Sequence, residues 1–370
     1  MPKEHVIVLE PNHTGHRMHY ARWIASWLRE RDMACTLATA SDTFGSAEYR
    51  EVLEREVKVD TFDLGVRRHV GTSRYPLWVI NQLRRVLREF PGASVLLPEG
   101  DQVVPFLWLL RPRERRRVGV LVMRVPAETG RLFSNPKRAA VKLVARGGKV
   151  RVLSPSVPVS SDYQWRGFAA APDPVEIARA EGCHPEFLPV TDQQSERVWV
   201  GVFGAIHARK NVTRVLDAVM SAAPPNRVGF LLAGKVHDGY AVELQGALAK
   251  ARERGYIVHL ENRFLSDVEL DSAVASVDVV AAVYSNDAPS GIFGKAVALG
   301  TLVVASGTPA LAEAIELLGD RALYCPLTDQ ALTETMRVAV ETATVRHRAP
   351  LDLAGPDEFV SAFMETIRRQ

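Results

Sequence analysis

The sequence predicts an α/β protein of two doubly wound, Rossmann-like domains facing a cleft, and three observations lead there. Short β-branched runs alternate with longer helical patterns along 370 residues, as parallel sheets covered by helices on both faces require. The alternation fails once, from Ser154 to Glu196, where Pro155, Pro158, Pro172, Pro174, Pro185 and Pro189 interrupt any regular element. The length and a hydrophobic content of 47% are enough for two ordinary cores. The expected division is therefore residues 1–195 as a first domain ending in an irregular linker, 196–355 as a second domain, and 356–370 as a helix returning to the first.

In the first domain the β-branched runs place strands at His5 to Glu10, Ala34 to Ala40, Val57 to Asp63, Ser94 to Leu97, Val118 to Met123 and Lys149 to Leu153. Between the first two, Arg17 to Arg31 sets Tyr20, Ile24, Trp27 and Leu28 at helical spacing, a core-facing stripe. The apolar run Val103 to Leu110 is too short to span a membrane and reads as a buried helix. The second series is more regular. Strands fall at Val198 to Phe203, Gly229 to Ala233, Tyr256 to Leu260, Asp278 to Val283 and Leu302 to Ala305. Helices fall at Asn211 to Ala222, Val242 to Arg254, Asp267 to Ser276, Gly291 to Leu299, Gln330 to Thr342 and Asp357 to Arg368.

Three scattered cysteines, Cys35, Cys183 and Cys325, form neither a disulfide framework nor a CxxC site, and the first strand lacks the longer apolar core of a signal peptide. The expected location is the cytoplasm. Charge is divided unevenly: residues 1–195 hold 29 Lys and Arg against 22 Asp and Glu, and residues 196–370 hold 17 against 21. A basic first half suits an anionic acceptor or peripheral contact with the inner membrane surface, although a solvated basic face is the plainer reading. The run Arg111, Arg113, Arg115, Arg116 and Arg117, following the apolar Val103 to Leu110, is the best candidate for such attachment. No nucleic-acid motif accompanies it, so no nucleic-acid partner is expected.

Two segments carry phosphate chemistry. In DAPSGIFGKAVALGTLVVAS (Asp287 to Ser306), Ser290 can cap a small-residue helix and leave the amides of Gly291, Ile292 and Phe293 pointing outward. Such amides, with the helix dipole, suit phosphate oxygens. In GAIHARKN (Gly204 to Asn211), a glycine at a strand end is followed by Arg209 and Lys210 before a helix, which puts two cations on the carboxyl edge of the same sheet. Either segment alone is compatible with an ordinary βα loop. In the first domain, PNHTGHRMH (Pro11 to His19) has Gly15 for a tight turn, and His16 or Arg17 for a phosphate or acceptor hydroxyl. Glu99 and Asp101 in PEGDQ are acceptor contacts or turn residues. His13, His16 and His19 lack a carboxylate companion, and no metal site is expected.

The second domain resembles the GT-B glycosyltransferases, in particular the retaining, nucleotide-sugar-dependent group called family 4. The resemblance rests on an order of features: Gly204 with Lys210, Gly234 ending a strand, Phe264 to Val283 (FLSDVELDSAVASVDVVAAV), then SGIFGKAVALGTLVVAS. The first domain resembles the family in outline only, through Gly15 and VRVLSPS (Val150 to Ser156). The resemblance implies GT-B architecture and glycosyl transfer from a nucleotide diphosphate sugar to a small or lipid-linked hydroxyl acceptor. It implies no further cofactor. Gly204, Gly15, Ser290, Gly291, Ile292 and Lys295 would line the nucleotide, with Asp287, Arg209, Lys210 and His16 at the reacting groups.

Three positions depart from the family pattern. Where members carry two glutamates with seven residues between them, this chain has Asp287 and Lys295. An ammonium only donates, so Lys295 would meet phosphate or ribose oxygens as a cation. The family's arginine after the strand-end glycine is Ala205, and the histidine ending a first-domain strand is replaced by Arg124. No DxD triplet, GxGxxG after the first strand, GxxxxGK[ST] or GxSxG occurs, which disfavours a metal-held diphosphate, dinucleotide, P-loop or α/β-hydrolase chemistry. A metal-independent transferase is the expectation; an epimerase or phosphorylase on the same architecture, or a non-catalytic nucleotide-binding subunit, are the alternatives. Oligomeric state is not readable from these residues.

Overall fold

The computed structural model describes residues 4–13, 17–46, 48–54, 57–66, 74–124, 136–155, 164–165, 167–178, 197–285, 291–306, 309–343 and 348–368. Its strands are β1 (His5–Leu9), β2 (Ala34–Thr39), β3 (Asp60–Asp63), β4 (Ser94–Leu97), β5 (Val118–Val122), β6 (Val150–Ser154), β7 (Gln164–Trp165) and β8 (Phe168–Pro172). They continue as β9 (Val198–Phe203), β10 (Val228–Ala233), β11 (Ile257–Glu261), β12 (Val279–Val283), β13 (Leu302–Ser306) and β14 (Ala322–Cys325). The helices are α1 (Arg17–Glu30), α2 (Tyr75–Glu89), α3 (Pro112–Arg115), α4 (Pro136–Ala145), α5 (Val212–Ala222) and α6 (Asp238–Glu253). The series ends with α7 (Asp267–Ala275), α8 (Gly291–Ala298), α9 (Pro309–Leu318), α10 (Asp329–Ala343) and α11 (Pro356–Arg368).

The strands form two sheets, as the alternating pattern predicts. The first has the order β3-β2-β1-β4-β5-β6-β8-β7, parallel except for β7, and the second the order β11-β10-β9-β12-β13-β14. Each reads 3-2-1-4-5-6 over its first six strands, the dinucleotide-fold order, whose ligands bind beyond the carboxyl ends of the strands. Strands buried on both faces need apolar residues at successive positions. In β1, Ile7 and Leu9 enter one core with β4, β5 and α2, while Val6 and Val8 enter another with α1 and α11. The core of the second sheet gathers Val200, Val202, Phe230 and Val304 with helical Leu216, Leu244 and Met336.

Two compact units result, and the chain divides earlier than residue 195. One unit holds the described residues up to Ser154, 164–173 and 354–368; the other holds Pro155, 174–178 and 197–353. Residues 174–178 belong with the second unit because the Ala178 amide donates to Asp271 Oδ2 on α7 at 2.7 Å. In the first unit α11 lies over β4, β5, β6 and β8, burying Phe359, Phe363 and Met364. Glycine at position 119 permits this contact, since an added Cβ would lie 1.9 Å from the buried Thr366 Oγ1.

The apolar run at 103–110 is a 3-10 segment, Val104–Leu109, and not a wholly buried helix. Val103, Val104, Leu107 and Leu110 turn inward, but Trp108 is 66% exposed. Pro105 supplies no amide to an α-helical ladder, and the tighter three-residue turn sends Trp108 out beside the inward Leu107.

Candidate nucleotide-diphosphate site

The second sheet's carboxyl edge assembles the site from three strand ends and one helix start. Strand β9 is followed by Gly204, whose φ is 76°, and β10 by Gly234, with φ 144°. The two loops then run in step. Gly204 donates its amide to Ala233 O (3.0 Å), Ile206 to Lys235 O (2.9 Å) and His237 to Ile206 O (2.8 Å). This parallel pairing extends past the strands through the Ile206–Val236 bridge.

Beyond it the chain makes a 3-10 turn, Ala208–Lys210, closed by Asn211 in the left-handed region at φ 50°. Asn211 Nδ2 donates to Val283 O at 3.1 Å, and the Ser285 amide donates to Arg209 O at 3.0 Å. These bonds stitch the turn to the end of β12. The residues that follow, 286–290, include Asp287 and Ser290 and lie outside the described residues, as do Gly15 and His16.

Lys210 is buried, with its ammonium donating to the Phe203 carbonyl and lying 5.9 Å from the centre of the Tyr284 ring. Burial, aided by neighbouring Arg209, lowers its pKa to about 7. Arg209 is exposed and donates from Nε to His207 Nε2 at 2.6 Å. Burial, then Arg209 and Lys210, hold the His207 imidazole below its ordinary pKa, and His237 adds to the same effect.

A Cβ placed on Gly204 would sit 3.3 Å from Lys210 Nζ and 3.8 Å from Ile292 Cδ1. Gly204, Lys210 and the first turn of α8 are thus adjacent, and Arg209 joins them through the backbone. The amides of Gly291 and Ile292 belong to the first turn of α8, which the helix's own i→i−4 ladder does not use.

Lys295 sits one turn further along α8, and its partners are protein groups. Its Nζ bonds Asp271 Oδ1 at 2.5 Å and the Glu176 carbonyl at 2.8 Å. Lys295 and Asp271 therefore fasten the 174–178 segment to α7 and α8, where the sequence reading had the cation at phosphate or ribose oxygens. Removing one partner of a buried ion pair typically costs about 3–5 kcal/mol. Asp271→Ala is expected to lose that amount in urea unfolding, because it strands the Lys295 ammonium and the Ala178 amide together. The double variant Asp271→Leu/Lys295→Met is expected to recover most of the loss, and a non-recovering double variant would show that the pair is not the cause.

Lys235 and His237 were missed by sequence reasoning, although the signal is present. Gly204-Ala-Ile-His207 is echoed by Gly234-Lys-Val-His237, so both strands end in glycine and reach histidine three residues on. Lys235 is exposed and His237 caps α6 by accepting from the Gly239 amide at 3.2 Å. In the first unit, Arg17 pairs with Glu99 at the carboxyl edge, and Glu10 accepts the Asn12 amide at 3.0 Å. Asp101 is a turn residue whose carboxylate accepts the Met123 and Arg124 amides at 2.8 and 3.1 Å. Among the described residues, no three His, Cys, Asp or Glu side chains are grouped to hold a metal ion, and no helix is long and apolar enough to cross a membrane.

Solved structures share this architecture over almost the whole chain. The Anabaena protein HepE, in complex with UDP, superposes with a TM-score of 0.61 at 16% identity, covering 99% of this chain and 94% of its own. A glycosyltransferase from Rickettsia africae gives 0.62 at 12% identity, covering 100% and 94%. The chain has the GT-B fold. A putative UDP-N-acetylglucosamine 2-epimerase from Listeria monocytogenes shares the fold equally well, with a TM-score of 0.61 at 11% identity over 97% of this chain and 94% of its own. No protein-family model matches the sequence. No curated protein matches it either.

Proposed function

We propose that this GT-B chain is a glycosyltransferase that moves a sugar from a nucleotide diphosphate sugar to a hydroxyl acceptor, with retention and without a metal. The adjacency of Gly204, Lys210 and the first turn of α8 carries the reading: a glycine-opened rim, a buried ammonium and helix-start amides suit a diphosphate. Negative charge grows on the leaving diphosphate as the sugar's anomeric C–O bond breaks, so fixed donors at that point lower the barrier most. Arg209, Lys210 and the amides of Gly291 and Ile292 supply them, and the sequence assigns the capping of that helix to Ser290 and the orientation of the sugar to Asp287. The acceptor oxygen bonds the anomeric carbon on the face the phosphate leaves, and the departing phosphate oxygen takes the acceptor's proton. The UDP complex of HepE supports uracil as the base.

The same fold in the Listeria epimerase supports a second reading, in which the sugar is rearranged without an acceptor. Isothermal calorimetry against UDP, GDP and ADP, followed by product analysis of the bound donor with and without hydroxyl acceptors, separates them. The expected result is UDP binding and sugar transfer that needs acceptor. An altered sugar formed without acceptor favours the epimerase reading, and no binding of any diphosphate at millimolar concentration overturns both.

A further inference from the structure

We propose that the first unit docks on an anionic lipid bilayer through the surface formed by the 3-10 segment Val104–Leu109, α3 and the end of α4. Trp108 and Leu143 are each 66% exposed, on elements that pack against each other. Their neighbours Leu107 and Val141 are buried in the core, so these two side chains are the ones the surface turns outward. A tryptophan beside arginines is the composition of a bilayer interface, where the indole sits at headgroup depth and guanidiniums meet lipid phosphates.

Charge singles out the same place. The first 195 residues carry an excess of seven positive charges, while residues 101–150 alone hold 12 Lys and Arg against three Asp and Glu. The basic excess of the half-chain therefore lies wholly in this segment. Arg111, Arg113, Arg116 and Arg146 are exposed, and none is in a salt bridge with a described residue. Arg117 is different: its guanidinium donates to the carbonyls of Ala93, Leu87 and Phe90 and belongs to the fold.

Topology gives the surface a purpose. Arg111 to Arg116 immediately precede β5, and Arg146 precedes β6, so the cluster lies at the amino edge of the parallel sheet. Glu10, Arg17 and Glu99 lie at the carboxyl edge. A bilayer held at the amino edge leaves the carboxyl edge open, as a site handling a second substrate needs. Lipid is favoured over a nucleic acid because a phosphate backbone would use the arginines and leave Trp108 and Leu143 exposed to water.

The test is sedimentation of the full chain with vesicles of phosphatidylglycerol and phosphatidylcholine, compared with phosphatidylcholine alone. The expected result is binding to the anionic vesicles that weakens with salt, and at least about tenfold weaker binding by Trp108→Ser/Leu143→Ser. Arg111→Ala/Arg113→Ala/Arg116→Ala is expected to weaken it as much, with unchanged unfolding midpoint and nucleotide affinity in both variants. Equal binding to neutral vesicles, or wild-type binding by both variants, overturns the proposal. So does tighter binding to duplex DNA or RNA that Trp108→Ser/Leu143→Ser leaves unchanged.

Discussion

Lys210→Met is expected to lower turnover with a cognate donor by about 100-fold or more, the usual loss when one fixed donor to a developing oxyanion is removed. Lys210→Arg is not expected to rescue it, because the ammonium lies between the Phe203 carbonyl, the Tyr284 ring and the space a side chain at Gly204 would fill, and the broader guanidinium fork needs more room. The apo protein should respond in the opposite sense. Burial lowers the Lys210 pKa to about 7, against 10.5 for the free side chain. The folded state therefore binds that proton more weakly than the unfolded chain, and the penalty is greatest below pH 7 and fades as pH rises towards the ordinary lysine value. Methionine removes it, so Lys210→Met should unfold at a higher temperature than wild type near neutral pH while losing its ligand. A bound diphosphate pulls the pKa back up, so binding takes up a proton and affinity falls as pH rises through about 7. Calorimetry in buffers of different ionisation enthalpy reads that proton directly. A Lys210→Met protein with unchanged turnover, or wild-type binding without proton uptake, would remove Lys210 from the site.

The assembly of the rim was legible because each part is local. A strand that runs into glycine, two cations and a small-residue helix start can be placed on one sheet edge from spacing alone, and Gly204, Lys210 and Ile292 do converge. Lys295 was not legible in the same way. Its charge is written in the sequence, but its partners are 24 residues away on α7 and in a proline-interrupted stretch where periodicity gives no register. Strand β8, FAAAP, escaped for a related reason: it has no β-branched residue, and its strand character comes from pairing with β6 beneath α11. Edge strand β14 is only four residues long. The run at 103–110 shows the converse error. Hydrophobicity located a packed segment correctly, yet composition does not say which residue of a three-residue turn faces water.

Gly234→Ala is expected to have the largest effect on the fold of the site, and comparison with Gly204→Ala shows why. An alanine Cβ at 234 would lie 2.1 Å from the Gly204 carbonyl oxygen and 2.6 Å from its carbon, both backbone atoms, at a φ of 144° that L-residues rarely adopt. Neither side can yield cheaply. The Gly204 amide is bonded to Ala233 O and the Gly234 amide to Glu261 O at 2.9 Å, so relief of the clash must open the β9, β10 and β11 rim. Strain of this kind costs on the order of 3 kcal/mol or more. The loops bearing His207, Lys210 and His237 leave this rim, so diphosphate affinity should disappear with the stability. At 204 the added Cβ meets Lys210 Nζ at 3.3 Å, the far end of a flexible side chain, at a φ of 76°. Alanine there should cost roughly 1–2 kcal/mol, while displacing the ammonium proposed to hold the diphosphate. The two variants should therefore separate in a urea melt paired with UDP calorimetry: Gly234→Ala loses both signals, and Gly204→Ala loses binding while keeping most of its stability. A Gly234→Ala protein with a wild-type midpoint would show that the two glycines do not hold the rim closed, and the phosphate cradle would then need another framework.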